Sequence, residues 1–123
     1  MMRASFPATA RLHSPTEYAQ SLKGQRVGRG ALFVVTRSRN DTLEHRADGA
    51  RLGLIIPKRF ANRAVTRNTI KRIIRETFRH KRLLLPDADY VFRLHGKVPP
   101  VSLTALKLLV RDEADKLLSR ARP

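Results

Sequence analysis

From Asn62 to Arg82 two sets of residues recur at the repeat of an α-helix. At about 100° per residue, Ile70, Ile73, Ile74, Thr77 and Phe78 gather on one side. Arg67, Asn68, Lys71, Arg72, Arg75 and Arg79 fill an adjoining arc. The first set is an apolar stripe that another layer of the fold must cover; the second faces solvent or a partner. Arg67, Lys71, Arg75 and Arg79 stand four residues apart, and Arg63 extends the row backward. Like charges at that spacing cost about 0.2–0.5 kcal/mol per pair, and solvated helix faces usually mix signs for that reason. Phosphates laid along the row would turn the cost into a gain, and the planar fork of Arg suits phosphate and base edges alike. Glu76 lies beyond the arc, placed to pair with Arg72 or Lys81.

The whole chain shares this bias. Its 123 residues carry 26 Lys and Arg against 10 Asp and Glu, a formal net charge of +16. Such self-repulsion points to a polyanionic partner, nucleic acid first and an anionic membrane surface second. The length and a hydrophobic fraction of 41% suit one domain with one modest core. There is no Cys, so disulfides and thiolate metal sites are excluded. Met1 to Ala10 holds one Arg and no long apolar run, unlike a signal peptide or a membrane span. The expectation is a flexible leader over residues 1–10, a single RNA-binding domain over 11–121, and a cytoplasmic protein.

Local signals place the other elements. Ser14-Pro15-Thr16-Glu17 has the form of a capping box, with Tyr18, Ala19 and Leu22 on one face of the helix it opens. The glycines at 24, 28 and 30 end that helix and open a basic loop with Arg26 and Arg29. Ala31–Thr36 and Arg51–Ile56 read as strands joined by a long hairpin loop through Asn40-Asp41 and Asp48-Gly49. Pro57 stops the second strand. A turn at 86–88 precedes a third strand, Asp89–Leu94, and Ser102 caps a last helix with Leu103, Leu106, Val110, Ala114 and Leu117 on one stripe. The order α-β-β-α-β-α, with helices packed on one small mixed sheet, is an α+β domain.

Charge does not separate RNA from DNA, since a basic helix also suits a DNA major groove. Tyr18, Leu22 and Phe33 lie where a groove between the first helix and the sheet would stack unpaired bases, which would favour RNA. Each of the three also suits an ordinary core.

The run Arg51-Leu52-Gly53-Leu54, then Pro57-Lys58-Arg59, Asn62-Arg63-Ala64 and Arg67-Asn68-Thr69-Ile70-Lys71-Arg72-Ile73-Ile74-Arg75, resembles the signature of bacterial ribonuclease P proteins. Arg11 to Tyr18 is similar to that family's N-terminal helix opening. The match spans about residues 11–118, and the central motif has the family's order and spacing. One departure stands out: Thr69 occupies a position where the family usually carries a third basic residue.

The resemblance implies a left-handed β-α-β crossover, like that of the second domain of ribosomal protein S5, against the usual right-handed rule. It implies a catalytic RNA subunit that cuts precursor tRNA with Mg2+ and leaves the mature 5′ end. No cofactor is then expected on the protein itself. Carried onto this chain, Arg63, Arg67, Asn68, Lys71, Arg72 and Arg75 would contact the RNA subunit. Lys58 and Arg59 are placed with them, although their position suits either surface. Tyr18, Leu22, Phe33 and Val35 would line a cleft for the single-stranded 5′ leader. The partners implied are the RNA subunit and precursor tRNA, with no membrane and no obligate protein partner.

The residues themselves offer no catalytic constellation. His13, His45, His80 and His95 are scattered through different elements and read as surface residues, and Asp87 and Asp89 read as a strand start. A basic ribosomal protein is the main alternative that composition leaves open. A membrane-surface module would want Trp or Phe along an exposed apolar helix, and the chain has no Trp. A stand-alone nuclease would need the missing catalytic groups.

Overall fold

The computed structural model describes residues 25–38, 49–86 and 88–121. The expected leader, the Ser14-capped helix and Tyr18 and Leu22 lie outside them. Four strands form one sheet: β1 (Gln25–Arg29), β2 (Phe33–Ser38), β3 (Arg51–Ile55) and β4 (Asp89–Leu94). Two helices accompany it, α1 (Ala64–Lys81) and α2 (Leu103–Ser119), and a short 3-10 turn follows α1 at Arg82–Leu84. The strand order is β1-β2-β4-β3, with β3 and β4 parallel and the other pairs antiparallel. This is the mixed sheet of an α+β domain, and β3-α1-β4 is its parallel crossover.

Strand alternation decides which side chains meet the helices. Phe33 and Val35 stand opposite Leu94 and Phe92, and Phe33 meets Phe92 edge-on with ring centroids 6.1 Å apart. Tyr90 continues that face and tilts against Phe78 of α1 at 6.1 Å. From the other layer α1 contributes Ile70, Ile73, Ile74 and Phe78, and α2 contributes Leu106, Val110, Ala114, Leu117 and Leu118, all buried. Ser102 caps α2 as its sequence position predicts, its hydroxyl accepting from Ala105 N at 3.2 Å. Leu103 departs from the predicted stripe and remains 41% exposed.

Two expectations need correction. The segment read as a basic loop contains β1, which lacks the β-branched run of an ordinary strand and owes its form to pairing with β2. Its Gly28 lies opposite Val35, where a Cβ would approach Leu117 Cδ2 to 3.0 Å, so α2 packs onto bare backbone there. The hairpin is β1–β2; β2 and β3 are not partners, because β4 pairs between them. No local signal announces that insertion.

The carboxylate of Glu113 on α2 accepts from Leu32 N at 3.1 Å and Phe33 N at 2.8 Å, fastening the helix to the β1–β2 turn. His95, read as a surface residue, is half-buried and donates from Nε2 to the carbonyl of Gly30 at 2.8 Å in the same turn.

Across β3 and β4, Arg51 and Asp89 face each other in register and form a buried two-pronged ion pair. Arg51 Nε donates to Asp89 Oδ1 at 2.7 Å, and Nη2 donates to Oδ2 at 2.8 Å. Removing one partner would strand the other charge away from water, at a cost of about 3–5 kcal/mol. Asp89→Ala is therefore expected to lose that much in chemical denaturation. A loss below about 1 kcal/mol, the usual yield of an exposed pair, would show that the pair does not hold the parallel strands together.

Candidate nucleic-acid interface

The cations of α1 are positioned by what its other side buries. With Ile70, Ile73, Ile74 and Phe78 inward, Asn68 and Arg72 are exposed and Arg67, Lys71 and Arg75 are half-exposed along one edge. Arg63, at the start of the helix, is exposed and extended, with no side-chain cap and no acid in the first turn. The uncapped amides add partial positive charge to the Arg63 end. Lys58 and Arg59 are exposed in the turn before the helix, and the Arg59 guanidinium lies 4.7 Å from the centre of the Phe60 ring. Arg63, Arg67, Asn68, Lys71, Arg72 and Arg75 are thus all exposed or half-exposed at the start of α1 or along it, and Arg59 shares a cleft with Arg63.

These residues do not all behave alike. Arg67 donates from Nη1 to the carbonyls of Ala61 at 2.9 Å and Asn62 at 2.8 Å, so it braces the turn as well as extending the row. Thr69 is buried, and its hydroxyl donates to the Val65 carbonyl at 2.7 Å. The departure from the signature therefore falls on the inward side and leaves no gap in the exposed row. Among the described residues, Arg63, Lys71 and Arg72 meet no acidic group.

The far end of α1 differs in sign balance. Glu76 pairs with Arg79 at 2.6 Å and His80 at 3.0 Å, instead of with Arg72 or Lys81. Lys81 reaches Asp115 of α2 at 2.9 Å. The Arg79 hydrogen bond, with His80 adding to it, holds the Glu76 carboxyl below its ordinary range, and Glu76 raises Arg79 in return. The uncompensated charge is concentrated toward the N-terminal half of the helix.

The predicted cleft residues separate. Phe33 and Val35 are fully buried in the core, so neither lines an open cleft; alternation turns both toward the helices. The opposite face of the sheet carries Val34 and Thr36 of β2 and Val91 and Arg93 of β4, of which Val34 and Val91 are buried as well. The register adds Arg29 opposite Val34 and Arg26 opposite Thr36, and Arg26, Arg29 and Arg93 are all exposed. Sequence reading missed this second basic surface because its parity depends on β1 being a strand. Among the described residues no three His, Asp or Glu side chains converge as metal ligands, and no helix is long and apolar enough to cross a membrane.

The sequence model of the family described as Ribonuclease P matches residues 6–122. The chain belongs to the ribonuclease P protein family. It is 57% identical over 120 residues to the ribonuclease P protein component of Bordetella parapertussis, covering 98% of both chains. It is 51% identical over 123 residues to that of Bordetella petrii, with both chains covered completely. Among solved structures it is similar to the RNase P protein of Staphylococcus aureus, with a TM-score of 0.74 at 23% identity over 89% of this chain and 93% of that one. The Thermotoga maritima RNase P protein gives a TM-score of 0.61 at 23% identity, covering 86% and 96%. This ribonuclease P protein family member thus shares its fold with those solved structures.

The Glu76 pairing has a pH signature. A depressed folded-state value means that the contribution is complete above the ordinary carboxylate range and is lost as pH falls through the lowered value. Arg79→Ala is expected to return the Glu76 titration, followed by side-chain NMR, toward an unperturbed carboxyl. An unchanged titration in the variant would assign the shift to something other than Arg79.

Proposed function

We propose that this chain is the protein subunit of a cytoplasmic ribonuclease P ribonucleoprotein, with residues 11–121 acting as one RNA-binding domain. It binds the catalytic RNA subunit through the α1 edge and precursor tRNA through the sheet, and so assists endonucleolytic 5′ maturation of tRNA. The observation that carries this reading is the row of Arg63, Lys71 and Arg72, left without acidic partners in a member of this family. Cations left unpaired on the exposed side of a helix gain from releasing the counterions of a phosphate backbone. Arg67 serves both partners of that contact, since it braces the preceding turn while keeping further donors for phosphate.

The chemistry belongs to the RNA subunit and its Mg2+ ions. The protein lowers repulsion between two polyanions and holds the substrate in register. In this reading the single-stranded 5′ leader runs along the exposed side chains of Arg26, Arg29 and Arg93, since Val34 and Val91 between them are as buried as Phe33 and Val35.

Reconstitution tests the reading. Purified protein added to a ribonuclease P RNA subunit at low magnesium is expected to restore 5′ cleavage of precursor tRNA, and protein alone to give none. Arg93→Ala is expected to raise KM for a precursor with a leader by roughly tenfold, taking about 1.5 kcal/mol for a charge-assisted contact. A precursor trimmed to a minimal leader should be affected little. No stimulation by the wild-type protein would refute the subunit assignment, and equal effects on both substrates would remove the leader from this face.

A further inference from the structure

Beside the α1 edge lies a cleft that the assignment above leaves without a role. It opens between the turn after β3 and the loop from β4 to α2, with a volume of about 460 Å3. That is within the range of sites for small molecules, roughly 300–1,000 Å3. Phe60, Val98 and Leu106 line it, and Arg59, Arg63 and Lys97 stand exposed around it. Its walls are fastened to each other. Val98 N donates to the Phe60 carbonyl at 2.9 Å, and the Phe60 and Ala61 amides donate to the Pro57 carbonyl at 3.1 and 3.2 Å. Pro99 and Pro100 restrict the outer wall further.

The lining selects among occupants. An apolar floor alone would accept an aliphatic or aromatic side chain of a peptide. Here every charged group in the lining is a cation and none is an acid, so the occupant is anionic as well as partly apolar. A nucleotide combines the two, with a flat base for the floor and a phosphate for the rim. The Arg59 guanidinium already lies over the Phe60 ring, and its other plane remains for a second flat group. Guanidinium planes and aromatic rings are common platforms for unstacked RNA bases. Arg63 borders both the cleft and the α1 row, so a strand following that row reaches the cleft without leaving the cations.

We infer that this cleft holds a single unpaired nucleotide of the RNA subunit, its base against Phe60 and Arg59 and its phosphate between Arg63 and Lys97. This rests on the RNA-binding reading above and adds a base-holding function to it. The α1 edge grips the backbone, whereas the cleft fixes the register by accepting an unstacked base.

The test uses the full chain and a ribonuclease P RNA subunit probed with base-specific modifying reagents. Lys97 and Val101 are exposed, the latter by 43%, so Lys97→Glu with Val101→Glu alters the cleft from its solvent side. Wild-type protein is expected to protect a small group of unpaired bases that the double variant leaves reactive. The remaining footprint should persist, with affinity lower by roughly tenfold, the scale of losing one stacked base. If the double variant melts earlier than wild type, Lys97→Glu alone carries the same comparison. A variant footprint identical to wild type would overturn the cleft assignment and leave the α1 reading standing. A wild-type protein that protects no part of the RNA would overturn both.

Discussion

The burial of Ile70, Ile73, Ile74 and Phe78 fixes the rotation of α1 about its own axis, and the RNA-subunit contact proposed for this protein depends on that angle. These side chains are held between the sheet and α2, where each large aliphatic or aromatic group contributes about 1.5–3 kcal/mol by leaving water. Like-charge repulsion among Arg67, Lys71 and Arg75 is several times weaker per pair. Packing therefore decides the orientation, and the cations accept the positions that packing leaves them. Thr69 shows the same hierarchy, since it lies within the basic signature and is nevertheless turned inward.

Three further contacts keep that platform in place. The Arg51–Asp89 pair joins the strands that bracket α1 in the chain. Arg51 belongs to the family signature, yet its guanidinium is spent on the fold and not on a partner. Glu113 and His95 secure the β1–β2 turn against α2 and β4. Polar residues in this small domain thus divide between those that close the structure and those that face outward, and residue type alone does not tell them apart.

Much of the fold was legible because it is written in short-range periodicity. The 3.6-residue repeat in α1 and α2, the Ser102 cap and the apolar run of β4 each depend on neighbours in the chain. What escaped depends on distant partners. β1 is a strand because β2 pairs with it, and its Gly28 and arginines carry little β signal of their own. The insertion of β4 between β2 and β3 is a choice of topology that no hairpin signal encodes. Phe33 and Val35 show the consequence for function. A strand offers two faces, and the one that meets the helices is known only when the register is known. The basic edge of α1, by contrast, was visible from sequence because helix periodicity separates its two sides without reference to the rest of the chain.

The central claim is that position along α1, and not total charge, carries the RNA contact. The most direct measurement is the salt dependence of affinity for the RNA subunit in two variants of equal net charge. One removes Arg63 and Arg72 from the α1 edge, and the other removes Lys107 and Arg111 from α2, each by substitution to Ala. The α1 variant should flatten the log–log slope by about 1.4–1.8, from roughly 0.7–0.9 per lost phosphate contact, with the α2 variant close to wild type. Equal changes in the two variants, or none in the first, would contradict the account.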